Sequence, residues 1–308
     1  MHDTVLRRDI SAEIASRDLR EVNRQMVAAI FPGIDSHAST LNAARTAALY
    51  HLKAGGQRIR ARLALDSSYC LGLTQSDAIT LATTAELLHN ASLIHDDLQD
   101  RDKTRRELDT VWVAFGDEVA ICAGDLLLSA AYRVLADVSF TDRLHQLIKL
   151  AHSRVAFAID GQCADLSQAS IHLLGVDGYL KIATAKSGAL LGLPIELALL
   201  AANCQEGLGA TRAAVDFFAV GYQIYDDLCD FEADRAREGF AATLNIVQVL
   251  QANNAMSTRT AWERAKQLGL QKLAFAAADS ANIPMQSGRL LRELSNDLHA
   301  RLTERRIQ

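Results

Sequence analysis

Ala91-Ser-Leu-Ile-His-Asp96-Asp97-Leu-Gln-Asp100 and, 130 residues later, Val220-Gly-Tyr-Gln-Ile-Tyr-Asp226-Asp227-Leu-Cys-Asp230 are two versions of one pattern. Each is an apolar helical run that ends in Asp-Asp-x-x-Asp. At about 100° per residue, positions i, i+1 and i+4 of a helix fall within one arc of about 100°. Three carboxylates so crowded repel one another, and an apolar helix offers them little solvent. A hard divalent cation relieves both problems, and Mg²⁺ held by a few carboxylates plus substrate phosphates is the usual arrangement. One such cluster reads equally well as a solvated helix end. Two copies suit a shared polyphosphate better than they suit a general acid–base pair. The candidate metal ligands are therefore Asp96, Asp97, Asp100, Asp226, Asp227 and Asp230.

The rest of the chain agrees with a helical setting. Of 308 residues, 51 are Ala and 44 are Leu, both strong helix formers. Gly and Pro together number 20, where average usage would give about 37. Aromatics are only 6%, which argues against sandwiches and barrels. Breaks fall at Phe31–Ser36, Ala54–Gly56, Gly72–Ser76, Leu174–Gly178, Glu206–Gly209 and Ala281–Gly288, with segments of roughly 15–30 residues between them at helical spacing. No linker or long repeat divides the chain. The expectation is an all-α fold, one domain over residues 1–308, built as a bundle of about ten or more helices around a central cavity.

Thirty-two basic against 37 acidic side chains give a net charge of −5 and no footprint for nucleic acid. Five scattered cysteines (Cys70, Cys122, Cys163, Cys204, Cys229) read as reduced thiols, hence a cytoplasmic protein. The N-terminus lacks the apolar core of a signal peptide. The most apolar stretch, Ser187–Cys204, is interrupted by Pro194 and Glu196 and reads as too short to span a bilayer.

An anion clamped by Mg²⁺ also needs protein cations. Gly55-Gly56-Gln57-Arg58-Ile59-Arg60 sets two arginines beside a flexible glycine pair, and Arg105-Arg106 closely follows the first acidic motif. Lys186-Ser187 sits in an otherwise apolar or small stretch, where an unpaired Lys is costly.

With these residues in place, the pattern resembles the trans-isoprenyl diphosphate synthases, the polyprenyl synthetase family, over roughly residues 45–250. Gly55–Arg60 resembles its Gly-Gly-Lys-Arg-x-Arg motif, and Leu88–His95 leading into Asp96–Asp100 resembles its first aspartate-rich motif. Arg105-Arg106, Phe115-Gly116, Ala123-Gly124-Asp125 and Gly161-Gln162 with Asp165 follow in family order. Lys186-Ser187 stands where the family has Lys-Thr, and Gly221-Tyr222-Gln223 with Asp226, Asp227 and Asp230 resembles the second aspartate-rich motif.

The resemblance implies a head-to-tail condensation in which isopentenyl diphosphate extends an allylic diphosphate. By that match the six aspartates bind Mg²⁺, with three ions when diphosphate is bound. Arg105, Lys186, Ser187 and Gln223 contact the allylic diphosphate. Gln57, Arg58, Arg60, His89 and Arg106 form the isopentenyl diphosphate site. Geranylgeranyl diphosphate synthases are the best match, because the residues one turn before Asp96 are the small Ala91 and Ser92, leaving Leu88 to close the chain-length pocket at about C20. A product of C25 or more is the alternative. A homodimer is also what the resemblance implies.

Three features depart from the family pattern. Gln57 replaces its Lys. The segment Phe231–Ala242, read as a loop, is short and offers only Arg235 and Arg237. Thr243-Leu244-Asn245 stands where Thr-Leu-Pro is common. Competing readings are a class I terpene cyclase, disfavoured by the second Asp-Asp-x-x-Asp, and a non-catalytic subunit of a heteromeric synthase, disfavoured by two intact motifs. Glu86-x-x-His89 hints at a di-iron bundle, which would need a second such motif. His95 points about 100° away from Asp96 on a helix and is not read as a ligand.

Overall fold

The structure, a computed structural model, describes residues 2–31, 42–166, 171–236, 245–254 and 256–307. It is helical almost throughout, as the sequence predicts, and it divides into two compact units. The first comprises Met1–Ala151 with Leu197–Asn203, and the second His152–Glu196 with Cys204–Gln308. The division falls inside two continuous helices, α7 (Leu144–Leu166) and α9 (Ala189–Ala201).

The first unit holds α1 (His2–Ala29), α2 (Ala43–Lys53), α3 (Ile59–Cys70), α4 (Gln75–Gln99), a hairpin of β1 (Thr104–Arg105) and β2 (Leu108–Asp109), α5 (Val111–Phe115) and α6 (Asp117–Leu135). Its axis is α4, packed by α1, α3, α5 and α6. Every residue from Asp77 to Leu88 is buried, so this is a helix apolar all round rather than amphipathic. Thr74 caps it, its hydroxyl accepting from the Asp77 amide at 3.2 Å. The Asp77 carboxylate in turn accepts from the Ser139 amide and hydroxyl, both at 2.8 Å. The helix closes on the first acidic motif, with the Asp100 amide donating to the Asp96 carbonyl at 2.8 Å.

The second unit holds α8 (Ile171–Ala183), a π-helical turn at Thr184–Gly188, α10 (Gly207–Ala236), α11 (Ile246–Asn254), α12 (Thr258–Ser280) and α13 (Arg289–Glu304). Helix α10 packs on α12, α13, α11 and the π turn. The approach of α10 to α12 depends on small residues. A Cβ on Gly221 would lie 2.5 Å from Leu273 Cγ, and one on Gly269 would lie 2.9 Å from Ile224 Cγ2. Helix α13 closes the unit through a stripe of buried residues at Leu291, Ser295, Leu298 and Leu302.

Three local expectations need correction. Pro194 sits inside α9 without ending it, because the helix there is fully packed. Leu193, Ile195, Leu197, Ala198 and Leu199 are all at 0% exposure, and such packing outweighs the roughly 3 kcal/mol a helical proline costs. The apolar run Gly175–Ala201 is consequently 27 residues, long and apolar enough to cross a membrane by length and composition, yet 83% of its most apolar window is buried in the protein. Finally, α10 does not stop at the second acidic motif. Phe231–Ala236 continues the helix, while Arg237, Thr243 and Leu244 lie outside the described residues.

Candidate active site

In the first unit the acidic motif separates into two roles. Asp97 is 1% exposed and turned inward, whereas Asp96 is half-buried and Asp100 exposed. Arg105, on β1, grips Asp97 with Nε at 2.7 and 2.9 Å and Nη2 at 2.5 Å. Burial pushes the Asp97 carboxyl up from its ordinary value in spite of Arg105, helped by the charges of Asp102 and Asp100. Burial also works against the charge on Arg105, but the bond to Asp97 outweighs it and holds the guanidinium protonated. Asp96 and Asp100 lie one turn apart on the more accessible side. Their hard oxygen donors suit Mg²⁺.

Beside this helix end the cations gather. Arg106 lies in the tight turn of the hairpin at φ 54° and donates to the Gly55 carbonyl. Gly56, at φ 131°, is required twice over: few L side chains adopt that backbone, and a Cβ there would lie 2.7 Å from the Arg106 guanidinium carbon. The cations act on one another and on two histidines. Arg106 is held below the ordinary arginine value by burial and then by Arg58 and Arg105. Burial, then Arg60 and Arg106, push His89 well below its ordinary value. His51 is pushed down to about 3 by burial, Arg106 and Arg105, against its bond to Asn90. Four arginines thus press on two neutral imidazoles, and an anion among them would relieve the repulsion.

Arg58 is placed differently from the other arginines. Its side chain is 9% exposed and bonds Asn23 Oδ1 at 2.9 Å and the Leu52 carbonyl at 3.1 Å, with Glu86 at 3.6 Å. Glu86 also accepts from the Ala61 amide at 3.0 Å, satisfying the start of α3. That is the structural use of the residue whose spacing to His89 hinted at di-iron. Gln57 is exposed, His89 and Arg60 half-buried. His95 packs over Gly124 and lies 3.7 Å from Asp125, which accounts for the small residue in Ala123-Gly124-Asp125.

The second unit repeats the separation. Asp226 and Asp230 are exposed, and Asp227 is 6% exposed. Asp227 accepts from Tyr179 Oη at 2.8 Å, Gln223 Nε2 at 2.9 Å and the Ile246 amide at 2.7 Å. Burial outweighs these three donors and, with the charge of Asp226, raises its pKa to about 7. Gln223, expected at the allylic diphosphate, is here bonded to Asp227. Lys186 and Ser187 lie on the π turn, a form that is rare and frequent at functional sites. Lys186 is not unpaired, as the sequence alone implied. Its Nζ meets Asp165 Oδ2 at 2.5 Å. The spacing of Gly161 and Asp165 on α7 now has a reason. A Cβ on Gly161 would lie 2.5 Å from the Lys186 backbone nitrogen, and one turn on Asp165 receives the same residue's ammonium.

The chain-length candidates sit in the body of α4. Leu88 is 2% and Ala91 3% exposed, and the half-buried Ser92 hydroxyl donates to the His89 carbonyl at 2.9 Å. Among the described residues no group of three or more His, Cys, Asp or Glu side chains converges on one point. Sequence reading missed Tyr179, His51, Asn90 and the Glu196 network, in which Arg154 at 2.5 and 2.6 Å and Arg212 at 2.9 Å hold a carboxylate that is 1% exposed. Only Glu196 carried a signal, as a charge within an apolar run.

A helical fold with two acidic helix segments, each exposing an outer carboxylate, and a confined arginine cluster is that of the isoprenoid synthase class. The chain belongs to the polyprenyl synthetase family, whose profile matches residues 42–259. It is 34% identical to a geranylgeranyl pyrophosphate synthase of Geoglobus acetivorans over 187 residues, 60% of this chain and 58% of that protein. The match thus spans less than two thirds of that relative's length. It is 32% identical to the farnesyl diphosphate synthase of Escherichia coli over 256 residues, 80% of this chain and 82% of that protein. The solved structure of geranylgeranyl pyrophosphate synthetase from Geoglobus acetivorans shares its fold, with a TM-score of 0.76 at 24% identity, covering 95% of this chain and all of that one.

Proposed function

We propose that the chain is an Mg²⁺-dependent prenyltransferase that condenses isopentenyl diphosphate head-to-tail with an allylic diphosphate, giving a trans-prenyl diphosphate. The observation that carries this reading is the arginine cluster of the first unit, whose mutual repulsion calls for a multiply charged anion beside a carboxylate pair. In this reading Asp96 and Asp100 of the first unit, and Asp226 and Asp230 of the second, are metal ligands. Mg²⁺, when bound, supplies Lewis-acid stabilisation of the departing diphosphate. Asp97 and Asp227 act behind them, keeping the two helix segments in place. Arg105 keeps Nε and Nη2 on Asp97 and is read as an allylic diphosphate contact of the first unit; Lys186, Ser187 and Gln223 are read as such contacts of the second. Arg60, Arg106, His89 and the exposed Gln57 hold isopentenyl diphosphate, with neutral His89 available as a hydrogen-bond partner. The apolar body of α4 shelters the electron-deficient allyl group from water.

The product we propose is geranylgeranyl diphosphate. Small Ala91 and Ser92 leave room for growth and Leu88 sets the limit. The names of relatives include both geranylgeranyl and farnesyl synthases, so chain length is read from these residues alone. We further propose that residues 1–308 act as one catalytic domain, a reading supported by the continuity of α7 and α9, and that the chain works as a homodimer in the cytoplasm. Five cysteines scattered along the chain fit a reducing compartment.

Incubation with Mg²⁺, isopentenyl diphosphate and each of the C5, C10 and C15 allylic diphosphates tests the activity, products being sized by mass after phosphatase treatment. A C20 alcohol is expected, and Leu88→Ala should lengthen it. A cyclic hydrocarbon, with isopentenyl diphosphate left unconsumed, would instead make the protein a cyclase.

A further inference from the structure

His51 lies outside every motif above, yet it is buried at 4% exposure in the last turn of α2, beside the arginine cluster. Its Nε2 is 3.1 Å from Asn90 Oδ1. The Asn90 amide nitrogen donates to the Glu86 carbonyl at 2.7 Å, which fixes the amide with its oxygen toward His51. Nε2 therefore carries the proton that Asn90 accepts. Asn90 is at 0% and Glu86 at 2% exposure, so the whole chain of bonds is shielded from water.

The last turn of α2 and the residues just past it supply the acceptors that aim two arginines. The Leu52 carbonyl receives Arg58 Nη2 at 3.1 Å, and the Gly55 carbonyl, just past the helix end, receives Arg106 Nη1. These carbonyls lie at the negative end of the helix dipole, which favours guanidinium there. From α4, Glu86 faces Arg58 and accepts from the Ala61 amide, next to Arg60.

We infer that His51 is a positioning residue for the cation cluster: by donating to Asn90 it anchors the last turn of α2 to α4, and so aims Arg106 and Arg58 through the Leu52 and Gly55 carbonyls. The inference rests on the proposed isopentenyl diphosphate site and names what keeps that site in register. His51 does not touch the ligand. It acts through the backbone that holds Arg106.

Binding of inorganic pyrophosphate to the full chain, measured by calorimetry with EDTA present, reads the cation cluster without the metal and without turnover. Arg60→Ala and Arg106→Ala test the site itself. If neither weakens binding, the reading of this cluster as an anion site fails, independently of His51. If both do, His51→Leu, which keeps the volume and removes the donor, should weaken pyrophosphate binding about tenfold, and His51→Gln, which restores a donor to Asn90, should recover most of it. In turnover, His51→Leu should raise KM for isopentenyl diphosphate and leave KM for the allylic diphosphate within about twofold. Unchanged affinity in His51→Leu would overturn the inference. So would an equal loss in His51→Gln, since the donor would then not be what matters. If His51→Leu does not fold, wild-type affinity in His51→Gln supports the inference and a tenfold loss there overturns it.

Discussion

Asp97 and Asp227 occupy the same place in two copies of one motif, and they are held by different chemistry. Asp97 is gripped by a charged partner, Arg105, at 2.5 to 2.9 Å. Asp227 is held by three neutral donors from α8, α10 and the start of α11. In both copies the flanking carboxylates stay on the more accessible side. The repeated sequence therefore encodes a repeated arrangement, with the middle aspartate buried against its own helix segment and the outer two on the more accessible side, where the proposed function puts the ligand. It does not encode a repeated support. The first copy has a cation to lean on because a hairpin returns Arg105 to it. The described donors to the second come from α8, α10 and α11 and are neutral, and burial raises its pKa to about 7.

The sharpest way to break this comparison is to make the same change in both copies. Asp97→Asn leaves Arg105 facing an amide in a largely buried place. It should lower unfolding stability by about 2–3 kcal/mol, after allowing for the exposure of Arg105, in chemical denaturation. Asp227→Asn should be nearly neutral at pH 7, since Gln223 can turn its amide oxygen toward the new nitrogen. Equal losses would mean that the two supports are equivalent after all.

Gly161→Ala should rank next. The added Cβ would meet the Lys186 backbone rather than a flexible side chain, so the π turn must shift, at about 1–3 kcal/mol and with reduced turnover. Thermal unfolding and steady-state rates check both.

The pH response of Asp227 tests the same difference by another route. Its folded pKa, about 7, lies above the ordinary 3.8, so the native state favours the protonated acid. Its contribution to stability is complete below about pH 4 and is lost as pH rises through about 7. Wild type should therefore lose stability relative to Asp227→Asn across that window, and parallel curves would contradict the account. Smallest of all, Asp165→Asn should cost no more than about 1 kcal/mol, because Lys186 is partly solvated.

The helical class and both acidic motifs were legible from sequence because period and spacing carry them, and the family was legible only through the resemblance of its motifs in order. Asp-Asp-x-x-Asp marks its own helix face, and Ala-rich segments leave few alternatives. What spacing alone could not carry was the support behind each motif. Tyr179 reaches Asp227 across 48 residues, and Arg58 reaches Asn23 across 35, so neither pair leaves a local pattern. Lys186 looked unpaired because its partner lies on another helix. Pro194 looked like a break because local propensity was weighed without the packing that overrides it.

The most direct test of the proposed division of labour is Mg²⁺-dependent incorporation of isopentenyl diphosphate by Asp96→Asn and Asp226→Asn, beside Asp97→Asn and Asp227→Asn, each assayed at a temperature where it stays folded. Both outer variants should lose about 10²–10³-fold or more in kcat, while Asp227→Asn should keep a rate within about tenfold of wild type. Full activity in either outer variant, or a loss in Asp227→Asn as deep as theirs, would contradict that division.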